Sequence, residues 1–175
     1  MATASDVSAT PCSSSMTDNH VVYLGLGSNL GDKPSNIRLA LEKIKELVGD
    51  VVRQSTLYVT QPWGFESENS FVNAVVCCHT SLSPRKLLTA TQKIERDLGR
   101  TEKSENGVYH DRVIDIDILL YDHRRITYPD LTIPHPLMWE RDFVMTPLRE
   151  IMPPEELGSL EKLSSPRKTK TSRRG

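Results

Sequence analysis

An apolar run from Val113 to Leu120 is interrupted by two acidic residues, Asp115 and Asp117. Aspartate is depleted in β-strands, and a buried carboxylate destabilises a fold unless a partner compensates its charge. Because side chains alternate along a strand, the two aspartates share one face about 7 Å apart, and the other face takes Ile114, Ile116 and Ile118. We therefore expect a sheet with one apolar face under helices and one face that tolerates two like charges.

This pair of carboxylates has two interpretations. A divalent cation would remove the repulsion, since Mg²⁺ is typically held by one or two carboxylates and by substrate phosphates. Alternatively, the segment is a solvent-facing edge strand with two harmless acids, and the spacing alone does not separate the two. Arg112 precedes the strand and Arg100 follows a predicted helix, and the planar guanidinium group suits phosphate oxygens. Carboxylates beside arginines favour phosphoryl transfer, which depends on positioning and charge neutralisation.

Six periodic segments follow one another along the chain. Runs typical of strands occur at residues 21–27, 51–60, 71–80 and 113–120. Helical periodicity occurs at residues 33–48 and 84–98. This order predicts an α+β fold with a ferredoxin-like βαββαβ core. We expect an antiparallel sheet with both helices on one face, the other face free for ligands, and a proline-rich C-terminal extension of short helical turns.

Capping signals mark the ends of both helices. Asp32 and Gly49 suit the start and end of the first helix, and Ser83 and Gly99 suit those of the second. Each helix has a proline in its first turn, where the missing N–H costs nothing. The inward-facing positions recur at helical spacing and are Ile37, Leu41, Ile44, Val48, Leu87, Thr91, Ile94 and Leu98.

Length and composition favour one domain. The chain has 175 residues, of which 37% are hydrophobic and 26% charged, and we expect a single domain over residues 21–158. Residues 1–20 are small and polar and lack the basic and apolar regions of a signal peptide, so we expect a disordered leader. No apolar run reaches the roughly 20 residues that span a bilayer, so we expect no membrane partner.

Basic residues are concentrated at the C-terminal end. Six Lys or Arg and no acid occur in residues 162–175, whereas the rest of the chain carries 23 acidic residues against 16 basic ones. We expect residues 159–175 to form a solvated, disordered basic tail. Loose binding of this tail to an anionic surface by counterion release is the alternative.

The cysteine pattern indicates a reducing compartment. Besides Cys12, the chain has Cys77 and Cys78, which are adjacent on a predicted strand. Their side chains would point to opposite faces, so the two do not chelate one metal ion together. An odd count of three gives no disulfide framework. We therefore expect buried thiols that act as small hydrophobic residues, in a cytoplasmic protein.

Two further segments suggest ligand contacts. Trp63 and Phe65 lie in a polar loop, and Asn73 interrupts the strand that follows. Aromatic faces and an amide with donors and an acceptor suit a heterocycle, although an aromatic covering the core and an asparagine bonded to backbone form the simpler explanation. His135 stands between two prolines on a rigid turn, shortly before Arg141, which makes it a candidate substrate contact.

Seven segments together resemble one enzyme family, hydroxymethyl-dihydropterin pyrophosphokinase. The resemblance runs from about Val21 to Pro153, and its segments are "GLGSNLGD", "YVTQPWG", "FVNAV", "IERDLGR", "DRVIDIDILLY", "LTIPHP" and "RDFVMTPLREI". It implies a folate-pathway enzyme that moves pyrophosphate from ATP to hydroxymethyl-dihydropterin and releases AMP. We expect a monomer without specific nucleic-acid binding.

The resemblance implies a role for each matching position. Two Mg²⁺ ions would be held by Asp115 and Asp117. The catalytic residues, which would neutralise charge as the pterin hydroxyl attacks the β-phosphorus, are Arg100, Arg112 and His135. The pterin-binding positions are Thr60, Trp63, Phe71, Asn73 and Phe143. The ATP-binding positions are Gln92, Glu95, Tyr109, Arg112, Thr132, His135 and Arg141.

The segment before the two aspartates departs from the family. The family's common "WGPR" is "YHDR" here, so Tyr109 stands at the tryptophan position and Asp111 replaces proline. Closure over ATP would then use different contacts, and a catalytically inactive, ligand-binding relative is one alternative. A ferredoxin-like nucleic-acid module is another, although the carboxylates of the last strand would repel phosphate unless metal is bound.

Overall fold

The computed structural model describes residues 19–60, 70–99 and 113–164. Its strands are β1 (His20–Ser28), β2 (Gly49–Gln54), β3 (Tyr58–Thr60), β4 (Phe71–Thr80), β5 (Asp115–Tyr121), β6 (Ile126–Tyr128) and β7 (Leu131–Ile133). Its helices are α1 (Lys33–Leu47), α2 (Pro84–Asp97), α3 (Asp142–Ile151) and α4 (Pro154–Ser164). A single 3₁₀ turn at Met138–Glu140 precedes α3.

The main sheet has the predicted ferredoxin-like topology. Its strand order is β2-β4-β1-β5, and every neighbouring pair is antiparallel. The short strand β3 also pairs with β4, beyond the end of β2. Strands β6 and β7 form a separate hairpin. The prediction of an α+β fold with a βαββαβ core is confirmed.

Helices α1 and α2 pack on one face of this sheet, as predicted. The side chain of Asp32 accepts a hydrogen bond from Ser35 N at 3.3 Å, and that of Ser83 accepts one from Lys86 N at 3.4 Å. Of the eight inward-facing positions predicted above, seven are buried, and Leu98 is partly buried against the same core. Each fully buried Leu or Ile contributes about 1.5–3 kcal/mol, so this core is the main stabilising layer.

The opposite face is partly covered, contrary to the expectation that it is free for ligands. A second buried cluster joins Tyr23 and Leu119 of the sheet to Leu148, Met152 and Leu160. The C-terminal extension forms two regular helices rather than short turns, because its apolar residues recur at helical spacing and Pro147 is accommodated inside α3. Helices α3 and α4 thus restrict a ligand to the other end of this face, where Asp115 and Asn73 lie.

Strand 51–60 of the sequence prediction is interrupted. The register of β2 against β4 shifts between Val51 and Arg53, and the chain leaves the ladder after Gln54. Ser55 is buried, and its side chain takes the place of a backbone acceptor at this break. Val75 N donates a hydrogen bond to Ser55 Oγ at 2.9 Å. A separate three-residue strand, β3, therefore begins at Tyr58.

Secondary structure extends beyond residues 21–158 at both ends. Strand β1 begins at His20, and α4 runs to Ser164 although the basic tail was expected from residue 159. Leu160 is buried in the second cluster, so the contacts of this cluster extend the domain. No helix in the described ranges is both long and apolar enough to cross a membrane.

The adjacent cysteines are buried on opposite faces of β4. Cys78 packs under the two core helices, and Cys77 packs under α3 and α4. Burial raises the pKa of both thiols, that of Cys78 to about 12. Both are free thiols, which confirms the prediction that they act as small hydrophobic residues.

Gly49 directly follows the first helix, as predicted, and also opens β2. The C-cap of the helix is Val48, whose N–H donates to Ile44 O at 2.8 Å. Gly49 has a φ angle of +155°, and a Cβ atom there would lie 2.0 Å from the carbonyl oxygen of His79. Because that oxygen belongs to the backbone of the neighbouring strand, no side-chain movement relieves the clash.

We therefore expect Gly49→Ala to lower the free energy of unfolding by roughly 2–4 kcal/mol, the range of severe backbone substitutions. The matched control is Gly158→Ala in α4, where a Cβ atom meets nothing within 4 Å. The control should raise stability by about 0.5–1 kcal/mol, because alanine is the better helix former. Urea unfolding measures both changes, and equal effects of the two substitutions would contradict the placement of Gly49.

Candidate functional site

The candidate site is built on the register of three central strands. Gly27 of β1 lies opposite Asn73 of β4 on one side and opposite Asp115 of β5 on the other. Two residues earlier, Gly25 lies opposite Asp117. Because residues two apart share a face, the amide and both carboxylates project from the same face, separated by two glycines.

The glycines leave a trough between the amide side and the acidic side. A Cβ atom on Gly27 would lie 2.9 Å from Asn73 Oδ1 and 3.6 Å from the ring of Phe71. Because glycine has no side chain, the backbone of Gly27 forms an open floor of the trough, beside the aromatic ring of Phe71 and the amide oxygen of Asn73. A flat ring lying on this floor would contact both groups.

Asn73 is buried and its amide is oriented. Its Nδ2 donates a hydrogen bond to Thr60 Oγ1 at 2.7 Å, and its Oδ1 faces the trough above Gly27. Thr60 comes from β3, which pairs with Phe71 at the same level. The carbonyl oxygen of the amide is therefore presented as an acceptor to a ligand in the trough.

The two aspartates lie on the ligand face and are partly exposed, as the strand pattern predicts. The guanidinium Nη1 of the buried Arg141 lies 3.8 Å from Asp117 Oδ2. This distance is at the outer limit of an ion pair, and the side chain of Asp117 keeps 30% exposure. The carboxylates thus have an attractive charge nearby and still face solvent on one side.

The described residues hold no group of three or more His, Cys, Asp or Glu side chains arranged for a metal ion. Within ranges 19–60, 70–99 and 113–164, the candidate metal ligands are therefore the two carboxylates. This donor set fits Mg²⁺, a hard cation that completes its coordination with water and substrate phosphates. It does not fit zinc, whose structural sites use four protein ligands rich in Cys and His.

His135 is held as a neutral hydrogen-bond donor. Its backbone N–H donates to Leu119 O at 3.0 Å, and its ring Nδ1 accepts from Leu137 N at 3.2 Å. Burial and the nearby charge of Arg141 lower the pKa of His135 to about 4, against the opposing attraction of Asp115. The neutral ring therefore carries its proton on Nε2, which leaves that nitrogen as the donor of the ring.

The other described residues assigned to ATP flank β5, which is the outermost strand of the main sheet. Gln92 and Glu95 lie on α2, which packs over the helix face of β5, and Glu95 is buried. Thr132 is exposed on β7, on the hairpin that follows β5 in the chain. Gln92 and Glu95 thus lie on the helix side of β5 and Thr132 lies on the hairpin, so none of the three is on the face that carries the aspartates. Their positions are consistent with a ligand that extends past the edge of the sheet.

Phe143 lies at the beginning of α3, and the guanidinium carbon of Arg141 is 5.7 Å from the centre of its ring. Arg141, placed with ATP by the sequence, thus lies between Asp117 and Phe143. Four predicted site residues, Trp63, Arg100, Tyr109 and Arg112, lie outside the described residues.

Sequence reasoning did not identify the glycine floor. The available signal was the alternation of Gly25 and Gly27 on a strand otherwise apolar, since glycine inside a strand often marks a close approach of a ligand. The sequence prediction placed both glycines in a strand over residues 21–27, and β1 extends through Ser28.

Comparison with known proteins gives a consistent set of relatives. A family model described as 7,8-dihydro-6-hydroxymethylpterin-pyrophosphokinase matches residues 23–153. A Porphyromonas gingivalis protein named 2-amino-4-hydroxy-6-hydroxymethyldihydropteridine pyrophosphokinase is 53% identical over 134 residues, covering 76% of this chain and 91% of that protein. An Aquifex aeolicus protein of the same name is 46% identical over 132 residues, covering 75% of this chain and 80% of that protein.

Solved structures show the same fold. A Plasmodium falciparum HPPK-DHPS structure matches with a TM-score of 0.60 and 15% sequence identity. The match covers 77% of this chain and 41% of the Plasmodium falciparum chain, so this chain is similar to one part of that longer protein.

We expect Gly27→Ala to weaken the binding of a pterin on the order of tenfold, because the added methyl group displaces the amide and ring beside it. Gly25→Ala is the matched control on the same strand, since its Cβ would make ordinary contacts at 3.5 Å with Leu119. Equilibrium titration of both variants with a pterin, in the presence of a non-hydrolysable ATP analogue, measures the difference. Equal affinities would exclude the trough as the ring site.

Proposed function

Because the chain belongs to the 7,8-dihydro-6-hydroxymethylpterin-pyrophosphokinase family, we propose that the trough between Asn73 and the two aspartates is its active site. The protein transfers pyrophosphate from ATP to 6-hydroxymethyl-7,8-dihydropterin in folate biosynthesis and releases AMP. The observation that carries the site assignment is the register that sets Asn73 and Asp115 on either side of Gly27.

The pterin ring would lie on the glycine floor. Asn73 would accept a hydrogen bond from the ring edge, because its Oδ1 faces the trough while Nδ2 is bonded to Thr60. Phe71 and Phe143 would supply aromatic faces for the ring. The hydroxymethyl arm would then point toward β5, where the carboxylates are. Trp63 is assigned to the same pocket by resemblance.

We further propose that Asp115 and Asp117 hold two Mg²⁺ ions together with the phosphates of ATP. Two carboxylates, one of them with 30% side-chain exposure, match the donor set expected for such ions. When bound, the ions would neutralise phosphate charge and polarise the oxygens that react. Their charge would also remove the repulsion between the two aspartates on β5.

The chain's own residues would bind and orient the triphosphate. Arg141 is buried beside Asp117, and its guanidinium group suits phosphate oxygens. His135 would donate a hydrogen bond from Nε2, because Nδ1 already accepts one from Leu137 N. By resemblance, further phosphate or nucleotide contacts come from Gln92, Glu95, Arg100, Tyr109, Arg112 and Thr132.

The transfer itself is an in-line displacement. The pterin hydroxyl oxygen forms a bond to the β-phosphorus of ATP, the bond from that phosphorus to the α-phosphate oxygen breaks, and AMP leaves. Catalysis of this kind depends on alignment and on stabilisation of developing charge. Asp115 would assist by taking up the hydroxyl proton. We also propose that the protein is a cytoplasmic monomer, and its free buried thiols support the reducing compartment.

Asp117→Ala should reduce AMP formation by roughly 10³-fold, the scale of losing one group that stabilises the transition state. Folding should be spared, because Asp117 is partly exposed and its ion pair with Arg141 is long. Asp97→Ala, which removes an exposed carboxylate paired with Lys93 at 3.0 Å, is the control. The assay mixes each variant with MgATP and hydroxymethyl-dihydropterin and measures AMP. Wild-type turnover by a folded Asp117→Ala variant would refute the metal assignment.

A further inference from the structure

We propose that Glu150, at the C-terminal end of α3, is a positioning residue for the pterin side of the active site. Its carboxylate joins α3 to the segment that enters β3. Oε1 accepts a hydrogen bond from Thr56 N at 3.0 Å, and Oε2 accepts one from Thr56 Oγ1 at 3.1 Å and one from Tyr58 OH at 2.5 Å. We call these three residues, Thr56, Tyr58 and Glu150, the β3 clamp.

The β3 clamp acts on a strand that carries a pterin-site residue. Tyr58 lies opposite Asn73, and Thr60 lies opposite Phe71, in the pairing of β3 with β4. Thr60 Oγ1 accepts the hydrogen bond that orients the Asn73 amide. A shift of β3 along β4 would move Thr60 and release that amide, so the position of β3 decides which atom of Asn73 faces the ring.

Strand β3 has few other contacts to hold it. It is three residues long and, within the described ranges, pairs with β4 alone. Its middle residue, Val59, is 70% exposed. A short strand with little buried area opens locally at low cost. An anchor outside the sheet is therefore needed to hold β3 in one register.

Helix α3 supplies that anchor and also carries the opposite wall of the pocket. Phe143 begins the helix and Glu150 lies two turns later, on the same side. The helix is fixed to the sheet by buried Val144, Met145 and Leu148. Through the clamp, one rigid element thus sets the spacing between Phe143 and the strand that orients Asn73.

The carboxylate form of Glu150 is favoured by these contacts. Hydrogen bonds from Tyr58 and from the Thr56 backbone lower the pKa of Glu150, so the group is ionised at neutral pH and its bonds are charge-assisted. Strands β4 and β1 lie between β3 and the aspartates of β5. The clamp should therefore influence the pterin and leave the nucleotide unaffected.

Steady-state kinetics of Glu150→Ala tests this inference. With ATP saturating, the KM for hydroxymethyl-dihydropterin should rise on the order of tenfold, because misplacement of about 1 Å is costly. With the pterin saturating, the KM for ATP should stay within about twofold of wild type. Glu155→Ala, which removes an exposed carboxylate from the first turn of α4, is the control and should change neither value.

Two further variants separate positioning from general stability. Glu150→Gln keeps the length and one acceptor oxygen, so it should restore most of the pterin affinity. As a single substitution, Tyr58→Phe should raise the pterin KM. In the Glu150→Ala background it should cause no further rise, because the effects of substitutions within one hydrogen-bond network are not additive. The proposal would be overturned if the effects of the two substitutions on the pterin KM were additive, or if Glu150→Ala left the pterin KM unchanged. It would also be overturned if Glu150→Ala reduced activity equally with both substrates, in proportion to the fraction of unfolded protein.

The inference rests on the proposed pterin site. The variant Asn73→Ala distinguishes a failure of the clamp from a failure of the site. If Asn73→Ala raises the pterin KM and Glu150→Ala does not, the clamp is wrong and the site stands. If neither variant changes the pterin KM, the assignment of the trough fails and the clamp fails with it.

Discussion

The antiparallel pairing of β1 with β4 and β5 is the constraint on which the rest of the site depends. This register sets a glycine between an amide and a carboxylate, at Gly27, Asn73 and Asp115. A slip of β1 by one residue would bring Leu26 or Ser28 to this face in place of Gly27, because side chains alternate along a strand. The buried apolar residues on the helix face oppose that slip, so the same core that stabilises the sheet also holds the functional groups in place.

The charges of the two aspartates and of Arg141 are a second constraint on the site. Two carboxylates on one strand repel, and the guanidinium group of Arg141, at 3.8 Å from Asp117, offsets part of this repulsion. His135 stays neutral beside the same arginine, so the described part of the site avoids an excess of positive charge before the phosphates arrive. The electrostatics thus favour a site completed by its substrate.

Local patterns in the sequence predicted the elements and their inner faces. The caps at Asp32 and Ser83 and the isoleucines of β5 follow from spacing alone, because neighbouring residues decide them. The break between β2 and β3 and the helical path through Pro147 did not follow, since they depend on contacts with Val75 and with the second cluster. The chemistry of the site was recognised by resemblance, whereas the glycine floor and the neutral state of His135 required the distances between strands and loops.

The central claim is that Asp115 and Asp117 bind metal together with the nucleotide. Mn²⁺ binding followed by electron paramagnetic resonance tests it most directly, with and without a non-hydrolysable ATP analogue. The account predicts two bound ions per chain in the presence of the analogue and weak binding in its absence, since substrate phosphates complete the coordination. The double variant Asp115→Asn and Asp117→Asn should lose both ions, and Asp97→Asn should keep them. Unchanged stoichiometry and affinity in the double variant would contradict the account.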